Sequence, residues 1–344
     1  MIRIENIYYM LAYSFQVLQE KGYKDILTEE FENAEELLSA ILCKGVAIQI
    51  KRGLRRAYIT QEESLSTPKG KIEMNQSIKT QSVRKKQFVC SYDEFSVDFY
   101  LNRIIKTTLN ALLCANISKA RKKEIRKLLL FFAEVATLDV HNINWNIQYD
   151  RNNQTYHMLV AVCQMILKGI LQTNADGSTH IMEFADEQTM PKLYEKFILN
   201  YFRKEHKELK VYAPQIKWML DDGIDNRLPI MQSDIVISNK QTRKTLIIDA
   251  KYYTHNMQMK APYMSQTIHS ANLYQIFAYV KNWKVKENET VMGMLLYART
   301  EDEVQPDNTY QMSGNQIHVR TLDLNCKFNV IAAQLDAIAK MVCE

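Results

Sequence analysis

Glycine is scarce. The 344 residues hold only nine, where ordinary usage of about 7% would give roughly two dozen. No two are closer than eight positions, the spacing of Gly45/Gly53 and of Gly169/Gly177. A Walker loop (G-x-x-x-x-G-K-[ST]), a dinucleotide fingerprint (G-x-G-x-x-G) and a nucleophile elbow (G-x-S-x-G) all need closer pairs. Those cradles are excluded, and no nucleotide is expected to be bound by this chain itself. Cysteine is also sparse and scattered: Cys43, Cys90, Cys114, Cys163, Cys326 and Cys343 form no CxxC pair. Structural zinc and iron–sulfur spacings are therefore absent. The longest apolar run, around LLLFFAEVA at 128–136, is about half of what a bilayer-spanning helix needs. The opening MIRIENIYYMLAYSF lacks a basic region ahead of a long apolar run, so neither export nor membrane insertion is expected. Scattered thiols without an export signal point to the cytoplasm.

Charge of one sign is not in large excess either. Lys and Arg number 44 against 39 Asp and Glu, a formal charge of +5, which permits nucleic acid as a partner without arguing for it. Hydrophobic residues make up 47% and charged ones 24%, enough apolar material for two cores. Residues 5–20 and 34–50 have apolar residues at helical steps. Residues 56–95 change character, with AYITQEESLS, GKIEM and QFVCSYDEFS as short strands around Pro68 and Gly70. A long helical stretch is expected from Asp98 to about Ala136, a polar loop over 137–155 and another helix over 156–172. The segment 171–180, LQTNADGSTH, has the composition of a linker. This places an α+β domain at 1–175 and a second domain at 181–344.

The second domain has an α/β pattern. A helix is expected from Met190 to His206, with Pro191 in its first turn. Strands follow at 209–219, 228–237 and 244–252, then a helix at 267–282, strands at 290–298 and 316–322, and a closing helix at 327–342. Within it, IMQSDIVISNKQTRKTLIIDAKYY over 230–253 predicts two strands joined by a polar turn. Alternation puts Asp249 and Lys251 on one face and Leu246, Ile248 and Ala250 on the other. Asp234, near the middle of the preceding strand, approaches Asp249 if the two strands pair. Two carboxylates and a lysine at a strand end suit metal-assisted phosphodiester hydrolysis. A solvated surface pair has the same spacing, but Asp249 ends TLII, a run apolar on both faces. A carboxylate there must be paired or must bind a cation. Glu195 shares a helical face with Ile198, Leu199 and Phe202, where it needs a partner or must reach out at the edge. Asn272, Gln275 and Tyr279 form one polar stripe on the later helix.

The order Glu195, Asp234, Asp249-Ala250-Lys251, Gln275-x-x-x-Tyr279 resembles the PD-(D/E)xK nuclease superfamily, in its branch with a trailing QxxxY helix. The whole chain resembles the McrC family, the nuclease subunits of McrBC-type modification-dependent restriction systems. IENIYYMLAYSF, TPKGKIEM, YDEFSVDFYLNRIIK and the SD…DAK core carry that likeness, to about residue 300. The resemblance implies a mixed central sheet flanked by helices, behind an N-terminal α+β partner-binding domain. It implies Asp234, Asp249 and the Ala250 carbonyl as ligands of Mg²⁺, with Mn²⁺ able to substitute. It makes Lys251 the catalytic lysine and Glu195 an added acid, with Gln275 and Tyr279 supporting. Ser233 stands where the motif often has proline, a departure that bears on strand geometry. It also implies double-stranded DNA containing modified cytosine as substrate and a hexameric AAA+ GTPase motor as partner, stimulated by this chain.

The strand-rich insertion at about 56–95 is the candidate for the part that enters the motor ring. Lys51, Arg52, Arg55, Arg56, Arg84, Lys85 and Lys86 around it could face an acidic partner or DNA, or could be a solvated rim. The cluster Lys119–Lys127 is open in the same way. His255 and His269 lie near the nuclease motif without metal-ligand spacing. Two other readings remain at this level: a non-catalytic adaptor that activates the motor through a decayed nuclease fold, and a stand-alone DNA repair nuclease.

Overall fold

The computed structural model describes residues 2–15, 18, 23, 26, 29, 31, 33–149, 154–176, 189–223, 226–260, 265–285 and 288–344. By contact the chain divides into two compact units, Met1–Ala34 with Met182–Glu344, and Glu35–Ile181. Of the expected linker 171–180, residues 171–176 are helical, the end of the helix Gln154–Asp176, and 177–180 lie outside the described residues.

Helix α1 (Ile4–Ser14) opens the chain. Expected within the domain 1–175, it groups instead with the C-terminal unit. The reason is local chemistry in IENIYYMLAYSF. Buried Asn6 donates Nδ2 to the carbonyls of Leu324 and Cys326, both at 2.8 Å. Tyr9 stacks on Phe328 with ring centroids 4.1 Å apart, and Tyr13 O–H donates to Glu205 at 2.8 Å. That motif is built for packing.

The second unit begins with α2 (Ala34–Arg52). Next come β1 (Ala57–Leu65), β2 (Lys71–Ile72), the short α3 (Met74–Lys79) and β3 (Phe88–Ser96). β3 is the middle strand of an antiparallel sheet, paired along nine residues with β1 and at its inner edge with β2. Gly70 has a positive φ of 70°, and a Cβ there would meet the Ser91 carbonyl oxygen at 2.5 Å, so TPKGKIEM needs its glycine. Helices α4 (Tyr100–Cys114), α5 (Lys119–Leu129) and α6 (Gln154–Asp176) complete the unit. The single helix expected from Asp98 to Ala136 is thus two: α4 ends at Cys114, and Ser118 caps α5 by accepting the Arg121 N–H. Of the basic residues flanking the ribbon, Arg55 is half-buried and the others are exposed.

The remaining unit continues with α7 (Thr189–Glu205), β4 (Lys210–Tyr212), β5 (Gln215–Ile216), β6 (Met231–Gln232), β7 (Ile235–Asn239) and β8 (Lys244–Lys251). After these come β9 (Met257–Lys260), β10 (Ser265–Ile268), α8 (Ser270–Lys281), β11 (Thr290–Ala298), β12 (Asn308–Met312), β13 (Asn315–Leu322) and α9 (Phe328–Cys343). Six strands form one mixed sheet in the order β12-β13-β11-β8-β7-β4. β8, β11 and β13 run parallel, and β7, β4 and β12 are antiparallel to their neighbours. Helices α7 and α9 cover one face, and α8 packs on the other. This is the α/β core with a mixed central sheet that the nuclease resemblance implied.

β8 is buried along nearly its whole length, as expected of a central strand with helices on both faces. On the α8 face, Ile247, Val291, Leu295, Tyr297 and Ile317 pack with Ile276 and Val280. Each such aliphatic side chain contributes about 1.5–3 kcal/mol on burial. Gly293 lets α8 approach: a Cβ would lie 2.8 Å from both Ile317 Cδ1 and Val280 Cγ2. Two expected strands, 209–219 and 228–237, are each broken. Pro214, which has no N–H, separates β4 from β5, and the partner strand breaks opposite it at Ser233 and Asp234. The strand pair therefore bends, so that β4 and β7 join the main sheet while β5 and β6 pair separately. The β9–β10 hairpin and β12 stand where no strand was expected.

Candidate active site

The bend places Asp234 just ahead of β7, whose first residue Ile235 pairs with Ile248 of β8. From there Asp234 Oδ2 accepts the Ala250 N–H at 2.8 Å. Ser233 explains the departure from proline: its N–H and its Oγ both donate to the Pro214 carbonyl, at 3.2 and 2.9 Å. A proline could make neither bond, so the serine fixes the bend by a different route. Asp234 is thus at the strand's entrance, not in its middle.

Asp249 and Lys251 share the α8 face of β8, as alternation requires. Asp249 is 1% exposed. Lys251 Nζ lies 2.8 Å from Asp249 Oδ2, an ion pair inside the buried pocket. Nζ also donates to Gln275 Oε1 at 3.1 Å. Gln275 Nε2 donates to the Tyr279 hydroxyl at 2.7 Å, which donates to the Gln232 carbonyl at 2.9 Å. The polar stripe on α8 therefore holds the lysine head and ties it back to the bend. Asn272, one turn earlier, accepts from the Tyr253 hydroxyl at 3.1 Å and donates to that of Tyr297 at 3.0 Å. Glu195, on α7, makes no hydrogen bond here but is near enough to feel the charges of Lys251 and Asp249. Asp234, Asp249, Ala250, Lys251, Gln275 and Tyr279 are thus brought into one connected group, with Glu195 at its margin. The part of Gln232 in it carries no sequence signal, because it acts through its backbone carbonyl.

The electrostatics are those of a crowded acidic pocket. Burial, then the neighbouring charges of Asp249 and Glu195, pushes the Asp234 carboxyl well above its ordinary range. Burial raises Asp249 too, against the pull of Lys251, and burial raises Glu195. Burial opposes the Lys251 ammonium, but Asp249 and Asp234 outweigh it and hold the lysine charged. Among the described residues no three His, Cys, Asp or Glu side chains form a complete metal cage. Two adjacent carboxylates and strand-end backbone nonetheless fit a hard cation that keeps several of its waters.

These shifts have a sign that can be measured. Native carboxyls with raised pKa hold protons that the unfolded chain releases from about pH 4 upward. Without divalent cation, stability should therefore fall as pH rises from about 4 through the raised native values. Asp234→Asn removes one of the competing charges. It is expected to flatten that slope, raise Tm at pH 8 in EDTA and abolish the Tm increase on adding Mg²⁺. Thermal unfolding at pH 5 and pH 8, with and without Mg²⁺, reads all three.

Residues 4–298 match the model of one protein family, the McrBC 5-methylcytosine restriction system component. The chain belongs to that family. It is 28% identical over 340 residues to the type IV methyl-directed restriction enzyme EcoKMcrBC of Escherichia coli K12, covering 97% of this chain and 96% of that one. Among solved structures it is similar to a half-complex of the tetradecameric assembly of Thermococcus gammatolerans McrB AAA+ hexamers with bound McrC. That match has a TM-score of 0.47 and 15% identity over 97% of this chain and 76% of the other. The cryo-EM structure of the Thermococcus gammatolerans McrBC complex matches with a TM-score of 0.40 and 16% identity, over 59% of this chain and 58% of that one. As an McrBC-family chain it has no helix, among the described residues, long and apolar enough to cross a membrane. All six cysteines are unpaired.

Proposed function

We propose that this chain is the Mg²⁺-dependent endodeoxyribonuclease subunit of a McrBC-like restriction system, cutting DNA that contains modified cytosine. The observation that carries the reading is the buried Asp249, 1% exposed, ion-paired with the Lys251 ammonium at 2.8 Å and crowded by the second carboxyl of Asp234. A structural core gains little from such a group, since an apolar replacement is often as stable. Family membership supports DNA and modified cytosine as the substrate class.

Asp234, Asp249 and the Ala250 carbonyl would hold Mg²⁺, or Mn²⁺ in its place, with Glu195 an added acid from the side. When bound, the ion activates water and neutralises charge on the reacting phosphate. Lys251 orients the attacking water and stabilises developing negative charge from a dry setting, where such charge counts most. Gln275 and Tyr279 keep the ammonium aimed. The intact pair of carboxylates with its lysine disfavours a decayed adaptor.

The unit Glu35–Ile181 would dock to a hexameric AAA+ GTPase and stimulate it. The chain has no glycine cradle of its own, and its β1–β3 ribbon exposes apolar side chains. Tyr58 and Phe95, paired across the strands, are 75% and 53% exposed with ring centroids 5.1 Å apart. Met74 and Ile78 of α3, which packs at the Val89 end of β3, are exposed as well. Such patches mark protein contacts. Cleavage of modified duplex DNA with the co-encoded motor, GTP and Mg²⁺ tests the reading. Cutting is expected to stop when EDTA replaces Mg²⁺ and when the motor is left out. Cutting that survives motor omission would instead favour a stand-alone nuclease.

A further inference from the structure

The segments that leave β8 and β11 meet in a small polar knot at the C-terminal ends of these strands. Fully buried Asn256 donates Nδ2 to the Ala298 carbonyl at 2.8 Å and to Gln305 Oε1 at 3.0 Å. Gln305 Nε2 donates in turn to Thr300 Oγ1 at 3.0 Å and to the Asp302 carbonyl at 2.7 Å. The Asp302 carboxylate is fixed within this knot. Its Oδ2 accepts from Thr300 Oγ1 at 2.9 Å and from the Asn256 N–H at 3.4 Å. Its Oδ1 lies 2.9 Å from Nδ1 of His255. The His269 ring faces the His255 carbonyl oxygen through Nε2 at 3.3 Å. Among the described residues, Asp302 and His269 are the titratable groups in contact with residue 255.

The His255 side chain itself is 73% exposed against 25% for Asp302. A fixed carboxylate therefore aims a ring into solvent. β8 and β11 are parallel neighbours, so this ring stands at the sheet edge where Asp249 and Lys251 sit, the edge where open α/β sheets bind ligands. Tyr253, two residues before His255, bonds to Asn272 on the helix that also carries Gln275. With Nδ1 held against Asp302, the ring turns Nε2 outward, where an Nε2–H can donate to an anion. Duplex DNA running past this edge supplies phosphodiester oxygens beyond the one being cut, and contacts to them fix register on the duplex.

We propose that His255, aimed by Asp302, is a DNA-phosphate contact flanking the cleavage site. The nature of the anion rests on the nuclease reading. The test is binding of a fluorescent duplex, in EDTA, to the full chain assembled with its co-encoded motor, so the readout does not depend on cutting. His255→Ala should weaken binding about five- to twentyfold with Tm unchanged, because the ring is exposed. His255→Arg should stay within about twofold, since it again supplies N–H donors. Asp302→Ala should weaken binding, and adding it to His255→Ala should cost nothing more. In cleavage, His255→Ala should raise KM and leave kcat within about threefold. Wild-type affinity in His255→Ala would overturn the proposal. So would equally weak binding by His255→Arg and His255→Ala, or no duplex binding by wild type. The nuclease reading fails separately, if wild type does not cut.

Discussion

Replacing Lys251 by alanine is expected to lower the cleavage rate at saturating DNA by at least about a thousandfold, the upper range for one preorganised electrostatic group. The ammonium is three-way constrained: 2.8 Å from Asp249 Oδ2, bonded to Gln275, and largely withdrawn from water. Its replacement also strands Asp249, whose carboxyl burial already pushes up. Lys251→Arg should not rescue, because a planar guanidinium does not reproduce a compact ammonium between Asp249 and Gln275. Gln275→Ala should fall between, with kcat lowered about tenfold and KM little changed, since the amide positions the lysine. Stability separates this from misfolding. Losing the ammonium strands the carboxyls in EDTA, but bound Mg²⁺ would offset its charge, so Tm in Mg²⁺ should lie only slightly below the wild-type value. Single-turnover cleavage and thermal unfolding of the three variants check the ordering.

The second large effect lies within the other unit, Glu35–Ile181. Asn102 is fully buried on α4. Its Nδ2 donates to the Arg55 carbonyl at 3.0 Å and the Val97 carbonyl at 2.8 Å, which are the residues entering β1 and leaving β3. Its Oδ1 accepts from the Tyr156 hydroxyl at 2.9 Å, and that oxygen accepts the Arg55 N–H at 3.1 Å. One side chain thus closes the base of the ribbon. Beside it, Asp98 takes both Arg103 donors at 2.8 Å and the Ala136 N–H at 2.7 Å. Burial works against the Asp98 charge, but these donors prevail and hold its carboxyl below the usual range. Asn102→Ala removes the donor to two carbonyls and the acceptor of the Tyr156 O–H and should cost about 2–4 kcal/mol. Asn102→Asp should be no better, because a carboxylate cannot donate to the two carbonyls. Denaturant unfolding reads the cost. If the ribbon docks to the motor, stimulation of GTP hydrolysis should fall in the same variants while Lys251→Ala keeps it.

These two groups differ in how far the chain alone reveals them. The cluster of Asp249, Lys251, Gln275 and Tyr279 was legible because each part obeys a short period. Asp249 and Lys251 alternate along one strand, and Gln275 and Tyr279 recur along one helix. Asp234 was legible as a residue but not in its position, because the bend depends on Pro214, twenty residues away and visible only once the strands pair. The β9–β10 hairpin escaped because Met257–Ile268 shows no clean alternation. The break between α4 and α5 rests on one cap, Ser118, set inside a stretch with helical character on both sides. The allegiance of α1 was hidden for a different reason: its partners Leu324, Cys326 and Phe328 lie more than three hundred residues along the chain. Asn102 reads in sequence as one more polar residue of an amphipathic helix. Nothing local says that its face is inward, and the carbonyl of Arg55 is reached only across 47 residues. Asp302 sits in an acidic run, TEDE, and only the fold shows that it faces a histidine.

The most direct measurement is cleavage of a duplex carrying modified cytosine by the chain with its co-encoded motor, GTP and Mg²⁺. Wild type is run beside Asp249→Ala, and GTP hydrolysis is followed in the same tubes. Wild type alone is expected to cut, with hydrolysis stimulated equally by both. Equal cutting by the two proteins would contradict it, since Asp249 would then have no part in the chemistry.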